Sequence, residues 1–355
     1  MNFTRWACLG LMLGSFTAPA RGDLRWTEEI AATVTSEVDA GTYGQVTSVL
    51  ILSNGAPVYE RYFNGADAAT LHDTRSVGKT VTGMLAGIAV DQGVLALEAP
   101  LAVHFTDLQP FVYPDPRKSA LTLEDLLTMS GPLECNDWNQ FSRGNEERMY
   151  VVEDWSRFFW DLPIRGFPGW ETPPDQTEYG RAFSYCTAGV QVVGDAIQRA
   201  TGEDLEAFAQ AHLFGPLGID TYEWPRTGAG VLHLGGGLRL NTRDWARLGE
   251  LQRQGGLHEG EQLISEGWTQ ASITPQAVIN GGPGFLYGYL WWLADRDSAV
   301  GTVRYAAMNG NGGNRVFVVP EHDLTVVLTK TDYNTREMHQ QAEAFFIDVI
   351  AAHLN

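Results

Sequence analysis

The sequence predicts an α+β fold in which a single sheet is divided along the chain by a helical insertion. Three observations carry this prediction. A strand–turn–strand pattern occupies residues 47–63, helical patterns with long connections fill the middle of the chain, and four short strand patterns with a terminal helix fill the last third. Strands that precede and follow a run of helices are typical of α+β folds.

The first element is a predicted β-hairpin. Residues 49–52 and 58–63 are mostly aliphatic or aromatic, and Asn54-Gly55 lies between them. Asn-Gly between two strand patterns is a strong hairpin signal, because both residues adopt a positive φ at low cost.

The next element is a helix that begins near Ser76 and stops before Gly93. Its apolar residues recur at helical spacing, at positions 81, 84, 85, 88 and 89. Ser76 and Lys79 are three residues apart and therefore share one helix face. A serine needs a base to become a nucleophile, and a lysine can be that base where burial and a helix N-terminus favour its neutral form.

The middle of the chain is predicted to be helical. Thr122 followed by Asp125 is typical of a capped helix start, and residues 188–200 form an apolar helical pattern that Thr201-Gly202 ends. The connection between Pro132 and Phe183 holds many tryptophan, proline and acidic residues. Connections of that length usually form functional rims or lids.

The last third is predicted to return to the sheet. Strand patterns occupy residues 287–293, 303–308, 315–319 and 324–329, separated by Gly, Pro and Asp, and a helix follows at residues 335–353.

Residues 1–20 have the pattern of a secretory signal peptide. Arg5 precedes a short apolar run, and Ala18-Pro19-Ala20 offers a cleavage site. The run is too short to span a bilayer. We therefore expect a periplasmic or secreted protein with no stable membrane anchor.

Composition excludes several classes of partner. The net charge of −19 disfavours nucleic acid and anionic membrane surfaces. The eight histidines are scattered and no metal-binding spacing occurs, so we expect neither a metal nor another cofactor. Cys135 and Cys186 would remain after signal cleavage, and in an exported chain they indicate one disulfide, with two buried thiols as the alternative.

Two further segments could carry chemistry. Tyr185 precedes the helix at 188–200, where it could act as a base beside a lysine ammonium or simply pack in the core. Residues 309–314 read Asn-Gly-Asn-Gly-Gly-Asn between two strands. They could free a backbone N–H for an oxyanion or form an ordinary turn.

Taken together, these segments resemble the serine β-lactamase-related family, which includes class C β-lactamases, D-alanyl-D-alanine carboxypeptidases and related esterases and amidases. Ser76-Val77-Gly78-Lys79 matches the family's S-x-x-K motif. Tyr185-Cys186-Thr187 lies where the family has Tyr-x-Asn. Gly310-Asn311-Gly312-Gly313 lies where Lys-Thr-Gly or His-x-Gly is found.

The resemblance implies a β-lactamase/penicillin-binding-protein-like fold, an antiparallel sheet flanked by helices with an inserted all-helical lobe. The domain would span residues 24–355, with an α/β lobe at about 24–99 and 232–355 and a helical lobe at about 100–231. A disulfide between Cys135 and Cys186 would then tie the cleft rim to the segment of Tyr185. Cleft aromatics, or alternatively packing residues, would be Trp138, Trp170, Trp291 and Trp292.

The resemblance also implies a mechanism. Ser76 would be acylated by a small ester or amide, with Lys79 and Tyr185 sharing the proton transfers in an order that the sequence leaves open. The backbone N–H groups of Ser76 and Gly313 would form the oxyanion hole. Substrate would contact Thr187, Gly310, Asn311 and Gly312.

Two departures from the family pattern affect the expected activity. Thr187 replaces the asparagine of Tyr-x-Asn, and Gly310 replaces the cation that helps to hold a substrate carboxylate. Arg315 could supply that charge or be an exposed strand arginine. These departures favour an exported esterase or amidase. The alternatives are a weak β-lactamase or D-alanyl-D-alanine peptidase, and a non-catalytic binding protein of the same fold.

Overall fold

The structure is a computed structural model that describes residues 24–279 and 284–355. The predicted signal peptide, residues 1–20, lies outside this range. Within the described ranges, none of the helices has both the length and the apolar character needed to cross a bilayer.

The described residues form an eight-stranded main sheet in the order β2-β1-β12-β11-β10-β9-β8-β7, and two small two-stranded sheets, β3-β4 and β5-β6. The strands are β1 (Val46–Ser53), β2 (Ala56–Tyr62), β3 (His72–Asp73), β4 (Arg239–Leu240), β5 (Leu257–His258), β6 (Glu261–Gln262), β7 (Ala277–Val278), β8 (Phe285–Tyr287), β9 (Trp292–Ser298), β10 (Gly301–Gly310), β11 (Asn314–Val319) and β12 (Leu324–Lys330).

Helices lie before, within and after the strands. They are α1 (Glu28–Asp39), α2 (Gly78–Asp91), α3 (Pro116–Ser119), α4 (Leu123–Leu127), α5 (Glu146–Met149), α6 (Trp155–Trp160), α7 (Thr187–Thr201), α8 (Leu205–Ala209), α9 (Thr242–Arg253), α10 (Glu266–Ser272) and α11 (Met338–Ala344).

The first and last strands of the chain meet in the main sheet, as the divided pattern predicts. β1 pairs antiparallel with β2 through a turn in which Asn54 and Gly55 have φ values of 51° and 76°. On its other side β1 pairs antiparallel with β12. The antiparallel sheet flanked by helices is therefore confirmed.

The sheet buries both of its faces. Alternate residues of β10 point to opposite sides, so that Ala306 and Met308 join the core beneath α2, whereas Tyr305 and Ala307 join the core beneath α1 and the C-terminal helix. Because α2 lies on only one face of the sheet, this alternation decides which side chains of the last strands lie on the same face as α2.

Two predicted elements differ from the observed ones. The expected strand 287–293 is interrupted, because Gly288 packs so closely on the Ser272 carbonyl that a Cβ would lie 2.0 Å from its oxygen, and Leu290 takes a φ of 60°. The expected final helix begins three residues later, at Met338, and continues as a π-helical segment over Phe345–Ile350. Both departures depend on tertiary packing, which local periodicity does not report.

Candidate active site

Ser76 lies in a short 3₁₀ turn, Arg75–Val77, that leads directly into α2. Arg75 has a φ of 54°, which turns the chain sharply before the helix. Ser76 is partly exposed, whereas the residues that follow it in α2 are buried. The turn therefore presents the Ser76 hydroxyl at the edge of the core.

Lys79 lies one helical step after Ser76 and is almost completely buried, with 1% of its surface exposed. Its Nζ donates a hydrogen bond to Ser76 Oγ at 2.9 Å and another to the carbonyl oxygen of Gly235. A Cβ at residue 235 would lie 2.2 Å from the Thr187 methyl group, so glycine is required there. These contacts hold the Lys79 amine against the serine, as the spacing of the two residues predicts.

Tyr185 completes a cluster around the serine. Its phenol interacts with the Ser76 side chain, and Lys79 Nζ lies 5.1 Å from its ring centroid. Burial raises the pKa of Tyr185, while Lys79 and the interaction with Ser76 act in the opposite direction. Burial prevails, so Tyr185 is a neutral phenol at pH 7 in the free protein. The structure thus brings the three predicted catalytic residues together.

Asp137 is a site residue that sequence reasoning missed. Its Oδ2 accepts from the Thr187 N–H at 2.7 Å, its Oδ1 accepts from the Glu146 N–H at 2.9 Å, and its own N–H donates to the Tyr185 carbonyl at 2.9 Å. Burial and the charge of Glu146 raise the pKa of Asp137 to about 6, against the opposing charge of Lys79. No motif marks this residue, since it lies in an irregular connection.

Glu146 is the second missed residue. Its Oε2 accepts from the Thr187 hydroxyl at 3.0 Å and from the Tyr150 hydroxyl at 2.8 Å. Its charge also acts on Asp137 and Tyr185. Two carboxylates therefore lie on the Lys79 side of the cluster, and they make this part of the site electronegative.

Thr187, a predicted substrate contact, is fully buried at the start of α7. Its hydroxyl donates to Glu146 and its N–H donates to Asp137. Both polar groups are thus engaged inside the protein. Thr187 therefore joins the two carboxylates to the segment that carries Tyr185.

The glycine-rich turn between β10 and β11 approaches the serine segment at its first residue. A Cβ on Gly310 would lie 1.9 Å from the Thr74 carbonyl oxygen, so no larger residue fits there. Gly313, the predicted oxyanion donor, instead has Lys330 and the Met338 carbonyl as near neighbours. The Gly310 end of the turn therefore lies nearer to the serine segment.

The other two residues of this turn contact residues that follow β12. The Asn311 side chain donates to Asn334 Oδ1 at 2.6 Å and accepts from the Asn334 N–H at 2.8 Å. Gly312 has a φ of 89° and donates its N–H to the sulfur of Met338. These contacts fix the shape of the turn.

Arg315 is neither an exposed strand arginine nor a cation in the cleft. It is 2% exposed and lies on β11 next to Phe317, whose side chain belongs to the core on the face opposite to α2. Tyr305 and Glu343 are the groups that favour its charge. The alternation of β11 thus directs this guanidinium away from Ser76.

The disulfide between Cys135 and Cys186 is present, with a Cα–Cα distance of 5.4 Å. It joins the connection that carries Asp137 to the residue that follows Tyr185. The bridge and the Asp137 hydrogen bonds therefore hold the same two segments together.

The four candidate cleft tryptophans have different environments. Trp138 is 55% exposed and its ring is stacked on Tyr185, and Trp292 is half-buried beside the same tyrosine. Trp291 is buried in the core and Trp170 is 86% exposed. Trp138 and Trp292 are thus the two that contact the site.

Across the described ranges, no group of three or more His, Cys, Asp or Glu residues is arranged to hold a metal ion.

Comparison with known proteins identifies the family of this chain. The sequence model of the family described as Beta-lactamase matches residues 40–346. The 6-aminohexanoate-dimer hydrolase of Paenarthrobacter ureafaciens is 23% identical over 334 residues, which cover 86% of this chain and 78% of that protein.

Solved structures share the fold. Simvastatin synthase from Aspergillus terreus superposes with a TM-score of 0.67 at 15% identity, covering 91% of this chain and 98% of that one. A class C β-lactamase from Rhodobacter sphaeroides gives a TM-score of 0.62 at 16% identity, covering 90% and 98%. With the family model matching most of its length, the chain belongs to the β-lactamase family, whose fold is that of serine hydrolases, penicillin-binding proteins and related enzymes.

Proposed function

We propose that this protein hydrolyses a small ester or amide through an acyl-enzyme on Ser76, with Lys79 and Tyr185 as the proton-transfer groups. The observation that carries the proposal is the hydrogen bond between Lys79 and Ser76, with Tyr185 beside both residues. Lys79 Nζ donates to Ser76 Oγ at 2.9 Å, and Tyr185 interacts with the Ser76 side chain and with Lys79. A nucleophile within hydrogen-bond reach of its base is the arrangement that covalent catalysis requires.

In the proposed reaction, Ser76 Oγ attacks the substrate carbonyl carbon while its proton passes to the Lys79–Tyr185 pair. The negative charge on the carbonyl oxygen is stabilised by the N–H of Ser76 and by an N–H of the 310–313 turn, for which Gly313 is the sequence-based candidate. The leaving alcohol or amine takes the proton, and water then cleaves the Ser76 ester.

The charges around the site support an uncharged or cationic substrate. Asp137 and Glu146 lie beside Lys79, and the buried Arg315 lies on the opposite face of the sheet. Arg75, next to the nucleophile, is paired with Asp73 at 3.3 Å. A substrate carboxylate would therefore meet repulsion here, which disfavours the penicillin-type alternatives.

The relative from P. ureafaciens supports the amide form of the proposal. Its name describes hydrolysis of a 6-aminohexanoate dimer, and an amino acid dimer is joined by an amide bond. Esters remain the convenient probes, because the same attack on a carbonyl cleaves both bonds.

We also propose that the protein is exported. The signal pattern of residues 1–20 and the disulfide support this, since disulfides persist in oxidising compartments. N-terminal sequencing of protein from the periplasm or medium should then begin after residue 20, and an uncleaved cytoplasmic product would contradict export.

A serine-directed fluorophosphonate tests the catalytic proposal against the non-catalytic alternative. The wild type should be labelled on the peptide that contains Ser76, and Ser76→Ala should not. The matched control is Ser36→Ala on the exposed face of α1, which should label like the wild type. A wild type that stays unlabelled, or labelling elsewhere, would contradict the proposal.

A further inference from the structure

Trp138 has an unusual position for an exposed tryptophan. Its indole is 55% exposed, yet it lies parallel to the Tyr185 ring, with centroids 5.5 Å apart and planes 6° apart. Tyr185 in turn contacts Lys79 and Ser76. The large apolar surface of the Trp138 indole is therefore open to solvent, and only the Tyr185 ring separates it from Ser76.

The backbone around Trp138 is firmly held. The neighbouring Cys135 is bonded to Cys186, the Asp137 N–H donates to the Tyr185 carbonyl, and the Trp138 N–H donates to Asn136 Oδ1 at 3.0 Å. The exposure of the indole is thus a property of the folded structure. Exposed apolar surface held in a fixed position is typical of a binding site.

Other aromatic rings extend this surface. Trp292, half-buried, lies 6.3 Å from Trp138 and 6.0 Å from Tyr185, and Phe285 lies 5.9 Å from Trp292. We call Trp138, Tyr185, Trp292 and Phe285 the aromatic wall. It borders the nucleophile on one side, while the Asp137–Glu146 carboxylates lie beside Lys79.

We propose that the aromatic wall binds the apolar group next to the scissile carbonyl, and that this group is an aromatic ring or a chain of several methylenes. The inference rests on the proposed function and specifies its substrate class. Flat rings and extended methylene chains both bury area against stacked aromatics, and neither carries a charge that the carboxylates would repel. Trp138 is its most exposed member and is therefore the residue to test.

The experiment uses two ester series with the wild type, Trp138→Ala, Trp138→Phe and the control Trp170→Ala. One series keeps p-nitrophenol and varies the acyl group from acetyl to octanoyl and phenylacetyl. The other keeps the butyryl group and varies the alcohol from methyl to benzyl. Trp170 is the matched control because it is an exposed tryptophan, 86% exposed, with no ring contact to Tyr185 among the described residues.

We expect Trp138→Ala to raise KM about tenfold or more for the larger groups of at least one series, and less than about threefold for the smallest. Trp138→Phe should lie between it and the wild type, and Trp170→Ala should match the wild type. The series that shows the loss identifies the side of the scissile bond that the wall contacts.

A loss of kcat that is equal for small and large substrates in both series would overturn the inference, because it would assign Trp138 to positioning Tyr185. Unchanged kinetics for all substrates would overturn it as well. Failure of the proposed function is distinguishable, since it would already appear as wild-type turnover that does not depend on Ser76. If Trp138→Ala does not fold, Trp138→Phe still reports the size dependence.

Discussion

Lys79 is the residue on which the proposed chemistry depends. It is buried, and its Nζ contacts both the Ser76 hydroxyl and the Gly235 carbonyl. Burying an amine costs free energy unless it is hydrogen-bonded, and these two acceptors provide its hydrogen bonds. Replacing it tests the proton transfer without removing the nucleophile.

We expect Lys79→Met to lower kcat/KM for p-nitrophenyl butyrate about 10²–10⁴-fold, the usual contribution of a general acid–base group. Methionine fills a similar volume, so the near-ultraviolet circular dichroism should stay close to that of the wild type. Folded Lys79→Met that keeps more than a tenth of the activity would contradict a proton-transfer role.

Asp137 predicts a pH dependence. Its pKa is raised to about 6, so the carboxylate is ionised above that pH and protonated below it. Protonation converts one of the two accepting oxygens into a hydroxyl, which weakens the hydrogen bonds from the N–H groups of Thr187 and Glu146 and loosens the segment that carries Tyr185. We expect kcat/KM to fall as the pH drops through about 6, and Asp137→Asn to be less active and to lack this inflection.

The control for this prediction is Glu147→Gln, which changes the neighbour of Glu146 in α5. An unchanged pH profile in Asp137→Asn would rule this role out.

At the scale of elements, the disulfide holds the connection of residues 135–145 against the start of α7. It closes a loop of 51 residues, for which the chain-entropy relation gives a stabilisation of about 4 kcal/mol. The double variant Cys135→Ser/Cys186→Ser should therefore unfold at lower urea concentration and also lose activity, because only the Asp137 hydrogen bonds then hold the two segments together. Equal free energies of unfolding in the two proteins would contradict this account.

The approach of β10 to the nucleophile turn also makes a prediction. A Cβ at residue 310 would lie 1.9 Å from the Thr74 carbonyl oxygen, so Gly310→Ala must displace either the strand end or the Ser76 turn. We expect a large loss of kcat with a stability loss of about 1–3 kcal/mol. Gly267→Ala in α10, where a Cβ meets no atom within 4 Å, should keep full activity and lose no stability. A fully active Gly310→Ala would show that this contact does not position the serine.

Local sequence signals correctly predicted the elements whose ends are set by residues close to them in sequence. The Thr122–Asp125 capping box and the left-handed Gly202 that ends α7 are both present. The break at 288–291 could not be predicted, since it depends on the Ser272 carbonyl. Asp137 and Glu146 were not predicted for a related reason. They lie in the irregular connection after residue 132, and only its folding brings them near Lys79. The division into two lobes at about residues 100 and 231 stays a prediction.

Across the whole molecule, the net charge of −19 and the carboxylates beside Lys79 both give the site a negative electrostatic potential. Both repel anionic substrates, and the long-range part is screened within about 10 Å at 0.1 M salt. We expect p-nitrophenyl hemiglutarate to be hydrolysed with lower kcat/KM than the uncharged p-nitrophenyl valerate, with a difference that narrows as salt is added. An anionic ester that is hydrolysed as fast at low salt would contradict this charge argument.

The fold brings together Ser76 from the turn before α2, Tyr185 from the segment before α7 and the Gly310 end of the β10–β11 turn, although they are far apart in sequence. We propose that this convergence makes Ser76 a nucleophile, and hydrolysis of p-nitrophenyl butyrate by the mature protein beside its Ser76→Ala variant tests it. We expect turnover by the wild type, which the variant loses while remaining folded. Equal rates in the two proteins, or no turnover by either, would contradict it.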